Sequence, residues 1–120
     1  MRGMNKVIIS GNVCNMPHYG NTGNGAEVCS FRLVSDRALG GGNKISAWIK
    51  INVYGNDFVR VCRDQIKRGA YVLVEGELMN RDWHCPDGHT QDLVEVRARE
   101  IIFMNRSENE TERVEENVHD

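Results

Sequence analysis

No apolar run in the 120-residue chain approaches the ~20 residues of a membrane-spanning helix, so no membrane partner is expected. The opening MRGMNKVIIS has no charged stretch followed by a longer apolar stretch and a small-residue cleavage site, and it is not read as an export signal. Cys14, Cys29, Cys62 and Cys85 are spread along the chain with no CxxC pair. Without an export signal they are expected as reduced thiols, in a cytoplasmic setting. Catalytic signatures are missing too: there is no glycine-rich phosphate loop, no GxSxG and no HExxH. No nucleophile lies beside a base and no acids are paired, so neither an enzyme nor a cofactor is expected. The stretch DWHCPDGH brings His84, Cys85 and His89 close, but its spacing matches no common zinc site. Pro86-Asp87-Gly88 already explains the stretch as a turn, and no metal is expected.

Charge is distributed unevenly. The net charge is -2, yet residues 107–120 (SENETERVEENVHD) hold six acidic residues against one arginine, a balance of -5. The 14 basic and 11 acidic residues before them leave the body at +3. With only Val114 and Val118 as large apolar groups, the last segment cannot bury enough surface to fold alone. Residues 1–106 are read as one domain and 107–120 as a disordered acidic tail. A mildly basic body permits a polyanion partner without requiring one.

The body reads as strands with one helix. KVIISGNV (6–13) is a first strand, with Gly11 at a bulge or bend, and residues 15–25 form a Gly/Asn/Pro-rich loop. EVCSFRLVS (27–35) and SAWIKINVYGN (46–56) are the second and third strands, joined by a long hairpin with GGGN at its tip. In residues 56–69 the period changes: Phe58, Cys62 and Ile66, with Val59, make one apolar helical face. Asn56 is the expected N-cap, and Lys67-Arg68-Gly69 the C-terminus. Asp57 and Asp64 are expected to pair with Arg60 and Lys67. YVLVEGELMNRDW (71–83) is a fourth strand, with Val72, Val74, Gly76 and Leu78 on its core face, and QDLVEVRAREIIFM (91–104) a fifth. The class is all-β: five strands with one helix between strands 3 and 4 is the order of the OB-fold barrel.

The outward faces carry the functional signal. Ile49, Ile51 and Val53 alternate toward the core, which leaves Trp48, Lys50, Asn52 and Tyr54 facing out. On the fourth strand Met79, Arg81 and Trp83 share the non-core side. Aromatic and cationic groups on the outward faces of both strands suit a single strand of nucleic acid. Its bases stack on aromatics, at ~1–3 kcal/mol each, while Lys and Arg follow the phosphates. A lone exposed Trp or Tyr equally packs under a loop or in a subunit interface. For Tyr54, beside Gly55 at a strand end, that reading stays open.

MRGMNKVIISGNV, SFRLVSDRA, AWIKINVYGN, IKRGAYVLVEGELMNRDW and VEVRAREIIFM resemble, in order and spacing, the bacterial single-stranded DNA-binding protein (SSB) family over residues 2–104. The resemblance implies an OB barrel, a homotetramer (a dimer being possible) and DNA wrapped around it during replication, recombination and repair. By the same resemblance Trp48, Tyr54 and Trp83 stack on bases, while Lys6, Lys50, Arg68 and Arg81 meet phosphates. Known members place a further aromatic in the long hairpin, where this chain has Leu39 and GGGN. That hairpin is therefore expected to contribute charge, through Arg37 and Lys44. The family's linker and Pro-Phe tip are replaced by an ending in Asn-Val-His-Asp, so recruitment of partner enzymes through such a tip is not expected. A short member encoded by a phage, plasmid or integrated element fits this pattern. Two other readings remain: a PriB-like primosomal OB protein, and an OB module whose aromatic faces bury against another protein.

Overall fold

The computed structural model describes residues 2–104 and 111–116, and the backbone only for residues 82–84, 90–92 and 111–113. Strands β1 (Val7–Val13), β2 (His18–Asn21), β3 (Glu27–Gly40) and β4 (Asn43–Tyr54) precede helix α1 (Asn56–Arg63). Strands β5 (Tyr71–His84), β6 (Thr90–Met104) and β7 (Thr111–Glu115) follow it. Pairing runs β1–β5–β6–β4–β3 and returns from β3 to β1 through Asn12↔Val34 and Val13↔Leu33, which closes a five-stranded ring. All ring contacts are antiparallel except β4–β6, which is parallel at Ile51↔Val96 and Asn52↔Arg97. With α1 between the third and fourth ring strands, this is the OB-fold barrel that the element order predicts.

Strand alternation fills the interior. Phe31 and Leu33 of β3, Ile51 and Val53 of β4, Val72 and Val74 of β5, and Val96 and Ala98 of β6 are each at most 1% exposed. Phe58, Val59 and Cys62 carry the apolar face of α1 into the same core. Two glycines allow the ring to close. A Cβ on Gly11 would lie 2.0 Å from the Val34 carbonyl oxygen, where β1 passes from β5 to β3. A Cβ on Gly76 would lie 2.1 Å from the Arg97 carbonyl oxygen, beside an irregularity in the β5–β6 register.

Several expectations need correction. The loop at 15–25 contains β2, because His18–Asn21 finds a partner edge on β3. The hairpin is a two-stranded arm out to Gly40↔Asn43, with a register irregularity between Ala38 and Gly40, turning through Gly41 and Gly42 at positive φ. The helix stops at Arg63, since the chain must turn to place the Gly69 N–H 2.7 Å from the Val13 carbonyl, although Ile66 remains buried. Gly55, not Asn56, is the N-cap; the Asn56 amide oxygen accepts the Glu27 N–H at 2.8 Å and so ties α1 to β3. Asp57 pairs with Arg60 as expected, while Asp64 becomes the C-cap. Leu78 is 46% exposed, two residues past Gly76 where the β1–β5 pairing ends, although its β6 partner Val96 stays buried.

The acidic segment departs most from expectation. Thr111–Glu115 is strand β7, antiparallel to β6, and Val114 opposite Ile101 is 7% exposed. A segment too polar to fold alone is ordered here by an existing sheet edge and one apolar anchor. Residues 107–110 and 117–120 of that segment lie outside the described residues.

Candidate nucleic-acid interface

Opposite the core, β4, β6 and β5 form a continuous outward surface. The β4–β6 register at Asn52↔Arg97 and the β5–β6 register at Met79↔Glu95 set its residues in rows. Trp48 is 57% exposed on β4, with Lys50, Asn52 and Tyr54 following at alternate positions. At the centre lies a carboxylate that sequence reasoning missed. Glu95, only 3% exposed, accepts a 2.7 Å hydrogen bond from the amide of Asn52, itself 3% exposed. Its other oxygen faces Lys50 Nζ at 3.8 Å and Arg81 Nε at 3.7 Å. The Met79 sulfur lies 3.7 Å from both the Asn52 amide nitrogen and the Tyr54 hydroxyl. Thus Lys50 and Tyr54 of β4 and Arg81 of β5 converge on one side of the barrel.

Tyr54 is more enclosed than Trp48. The Arg97 guanidinium lies over its ring at 5.2 Å from the centroid. Burial, then the nearby Glu95 carboxylate, pushes the Tyr54 hydroxyl above its ordinary pKa, so it stays protonated. Arg97 in turn donates to Glu116 from Nε and Nη2, both at 3.3 Å. Glu116 also accepts from Arg99 at 3.1 Å, and Arg99 donates to Glu77 at 2.9 Å. The end of β7 therefore brings an anion onto arginines bordering the surface. Arg97 and Glu95 were detectable in VEVRA, whose alternation places Val96 and Ala98 inside and their neighbours outside.

The other anticipated residues are more scattered. Lys44 shares the Trp48 side of the arm and pairs with Asp36 at 3.6 Å. A hydrogen bond from the Ser46 hydroxyl, together with Lys44, holds the Asp36 carboxyl below its ordinary range. Arg37, opposite Ile45, falls on the reverse side of the arm by alternation. Arg68 adjoins Gly69, which bonds to Val13 and Asn12 beyond β3 from Trp48. Lys6 pairs with Glu75 at 3.0 Å, four positions along β5 from Met79 and apart from the Glu95 cluster. Trp83 occupies the β5 position opposite Gln91; its side chain lies outside the described residues. Arg32, exposed on β3 directly opposite Lys50, is a cation that the Phe31–Leu33 alternation could have revealed.

Cys85–His89 forms the expected turn, with Gly88 at φ 92°. Among the described residues no three metal-binding side chains cluster, and the His84 side chain lies outside them. A separate groove of about 540 Å³ lies between β2 and the end of α1, lined by Met16, Pro17, Tyr19, Arg63, Ile66 and Lys67 among others.

Known proteins match this chain over most of its length. The profile described as "Single-strand binding protein family" matches residues 4–104. "Single-stranded DNA-binding protein 2" of Chlorobaculum tepidum is 32% identical, over 94% of this chain and 79% of that protein. "Single-stranded DNA-binding protein" of Rhizobium meliloti is 29% identical, over 78% of this chain and 56% of that protein. Among solved structures, one described as "Plasmodium falciparum SSB complex with ssDNA" superposes with a TM-score of 0.76 at 23% identity, covering 88% of this chain and 98% of that one. At that identity the likeness shows the fold.

Proposed function

The chain belongs to the Single-strand binding protein family, a family of non-enzymatic DNA-binding proteins, and we propose that its β4–β6–β5 surface binds and protects single-stranded DNA with little regard to sequence. The observation that carries this reading is the exposed Trp48 ring on the same outward surface as Lys50, Arg32 and Arg81, around a buried Asn52–Glu95 bond. An open indole on a cationic surface offers a flat base a stacking partner.

Bases stack on Trp48, on the ring face of Tyr54 away from Arg97, and on Trp83. Phosphates follow Lys50, Arg81 and Arg32, then Lys44 on the arm and Arg68 beyond β3. Lys6 and Arg37 serve the strand as it leaves this surface. The protein acts as a homo-oligomer, a tetramer with a dimer as the alternative; the 62% exposed Ile8 on β1 supports a subunit contact there. Its setting is the replication, recombination and repair of DNA in the bacterial cytoplasm or of a phage or plasmid. Titration with oligo(dT) should quench the tryptophan fluorescence to a stoichiometric end point, while an equal length of duplex leaves it unchanged. Unquenched tryptophans at saturating oligo(dT) would contradict the reading.

A further inference from the structure

We propose that Glu95 is an internal counter-anion that holds Lys50 and Arg81 in the free protein and thereby limits how tightly this surface grips a single strand. The inference rests on the single-strand-binding reading above. Its starting point is the division of labour between the two carboxylate oxygens. Oε1 takes the Asn52 amide at 2.7 Å, which pins the carboxylate to β4. Oε2 alone faces both cations, at 3.8 Å and 3.7 Å. These separations exceed the ~2.7–3.2 Å of a direct N–H···O hydrogen bond, so the cations are attracted without being locked.

Exposure separates the partners further. Glu95 is 3% exposed, while the side chains of Lys50 and Arg81 are 30% and 52% exposed. An arriving phosphate can reach both cations from solvent, and the pinned carboxylate cannot follow them outward. Two positive charges over one buried negative charge leave a net charge of about +1 for the DNA, where an uncharged residue at 95 would leave about +2. A phosphate must therefore compete with Glu95 for each cation. The buried charge is tolerated because one hydrogen bond and two nearby cations surround it.

Glu95→Gln tests this directly, because the amide keeps the shape and an acceptor for Asn52 but removes the charge. The variant should neutralise one more phosphate, steepening the log–log dependence of oligo(dT) affinity on salt by about 0.7. If the two proteins converge near 1 M salt, that slope makes the variant about eightfold tighter at 50 mM. Lys50→Gln should also lose more affinity in the Glu95→Gln background than in the original chain, since Lys50 is then fully available. A purely structural Glu95 gives the opposite pattern: a lower melting temperature and weaker binding with an unchanged slope, which would overturn the proposal.

A measurement on the unmodified protein keeps the test independent of the variant's folding. The Arg81 Nε–H resonance in a ¹⁵N-arginine spectrum, assigned by its loss in Arg81→Lys, should shift on adding oligo(dT) as the guanidinium exchanges Glu95 for phosphate. An unmoved resonance at saturation would overturn the proposal. If neither the original chain nor Glu95→Gln binds oligo(dT), the single-strand-binding reading itself fails.

Discussion

Replacing Trp48 with alanine isolates the stacking contribution, because the residue lies opposite Val34 on the outward side of β4 and takes no part in the core. Like other surface substitutions outside special features, it should change folding stability by no more than ~0.5 kcal/mol. A tryptophan side chain presents roughly 250 Å², so 57% exposure leaves roughly 140 Å² open to a ligand. A base covering about half of that removes ~70 Å² from water, worth ~1.8 kcal/mol at ~25 cal/mol per Å². The value falls inside the ~1–3 kcal/mol range of measured base stacking and corresponds to about twentyfold in affinity. Trp48→Phe keeps a smaller ring and should lose less. The assay is fluorescence anisotropy of labelled oligo(dT) at one fixed ionic strength, with thermal melting run alongside. Binding within twofold of the original by a Trp48→Ala protein that melts normally would refute the stacking assignment.

Gly76→Ala should destabilise the barrel by ~3 kcal/mol or more in urea titrations, since its methyl meets the Arg97 carbonyl at 2.1 Å and backbone must move; an unchanged midpoint would disprove that contact. Val114→Ala should cost ~2 kcal/mol by removing buried methyl groups from beside Ile101, and no loss would mean that β7 does not complete the core. Ending the chain at Arg106 removes Val114 together with the Glu116 that holds Arg97 and Arg99. The shortened protein should melt lower yet bind oligo(dT) more tightly at low salt, with a gain that fades as salt rises; equal low-salt affinities would rule out competition by the acidic segment. Burial pushes the Cys29 thiol up to about 11, so the folded state keeps a proton that the unfolded chain releases from about pH 9. Its contribution is complete below pH 9 and lost as pH climbs toward 11, a decline that Cys29→Ala should flatten in melting curves.

Ring strands and core were readable because alternation has a clear physical cause: Phe31, Leu33, Ile51 and Val53 must all point to one side of their strands. Trp48, Lys50 and Arg81 could be assigned to the opposite side by the same rule. What the residues between them do depends on strand order, which alternation does not encode. The β4–β6 pairing is parallel and links residues more than 40 positions apart, so nothing local shows that Glu95 meets Asn52. Helix length was overestimated because apolar spacing persists through Ile66, while the turn that ends α1 is imposed by the Gly69–Val13 contact. Thr111–Glu115 departs from its composition for a related reason. Its composition cannot sustain independent folding, but strand addition to β6 requires little apolar surface beyond Val114. Arg37 and Lys44 both lie on the arm, yet one residue of register separates its two sides.

The most direct test of the account is where a bound single strand touches the protein. Oligo(dT) carrying 5-iododeoxyuridine, photocross-linked at low salt and mapped by peptide mass spectrometry, reports the residues against which bases lie. The account predicts adducts on the β4 peptide carrying Trp48 and Tyr54 and on the β5 peptide carrying Trp83, all lost in an excess of unmodified oligo(dT). Adducts concentrated instead at Tyr19 and its neighbours in the groove beside α1, with β4 and β5 unlabelled, would contradict it.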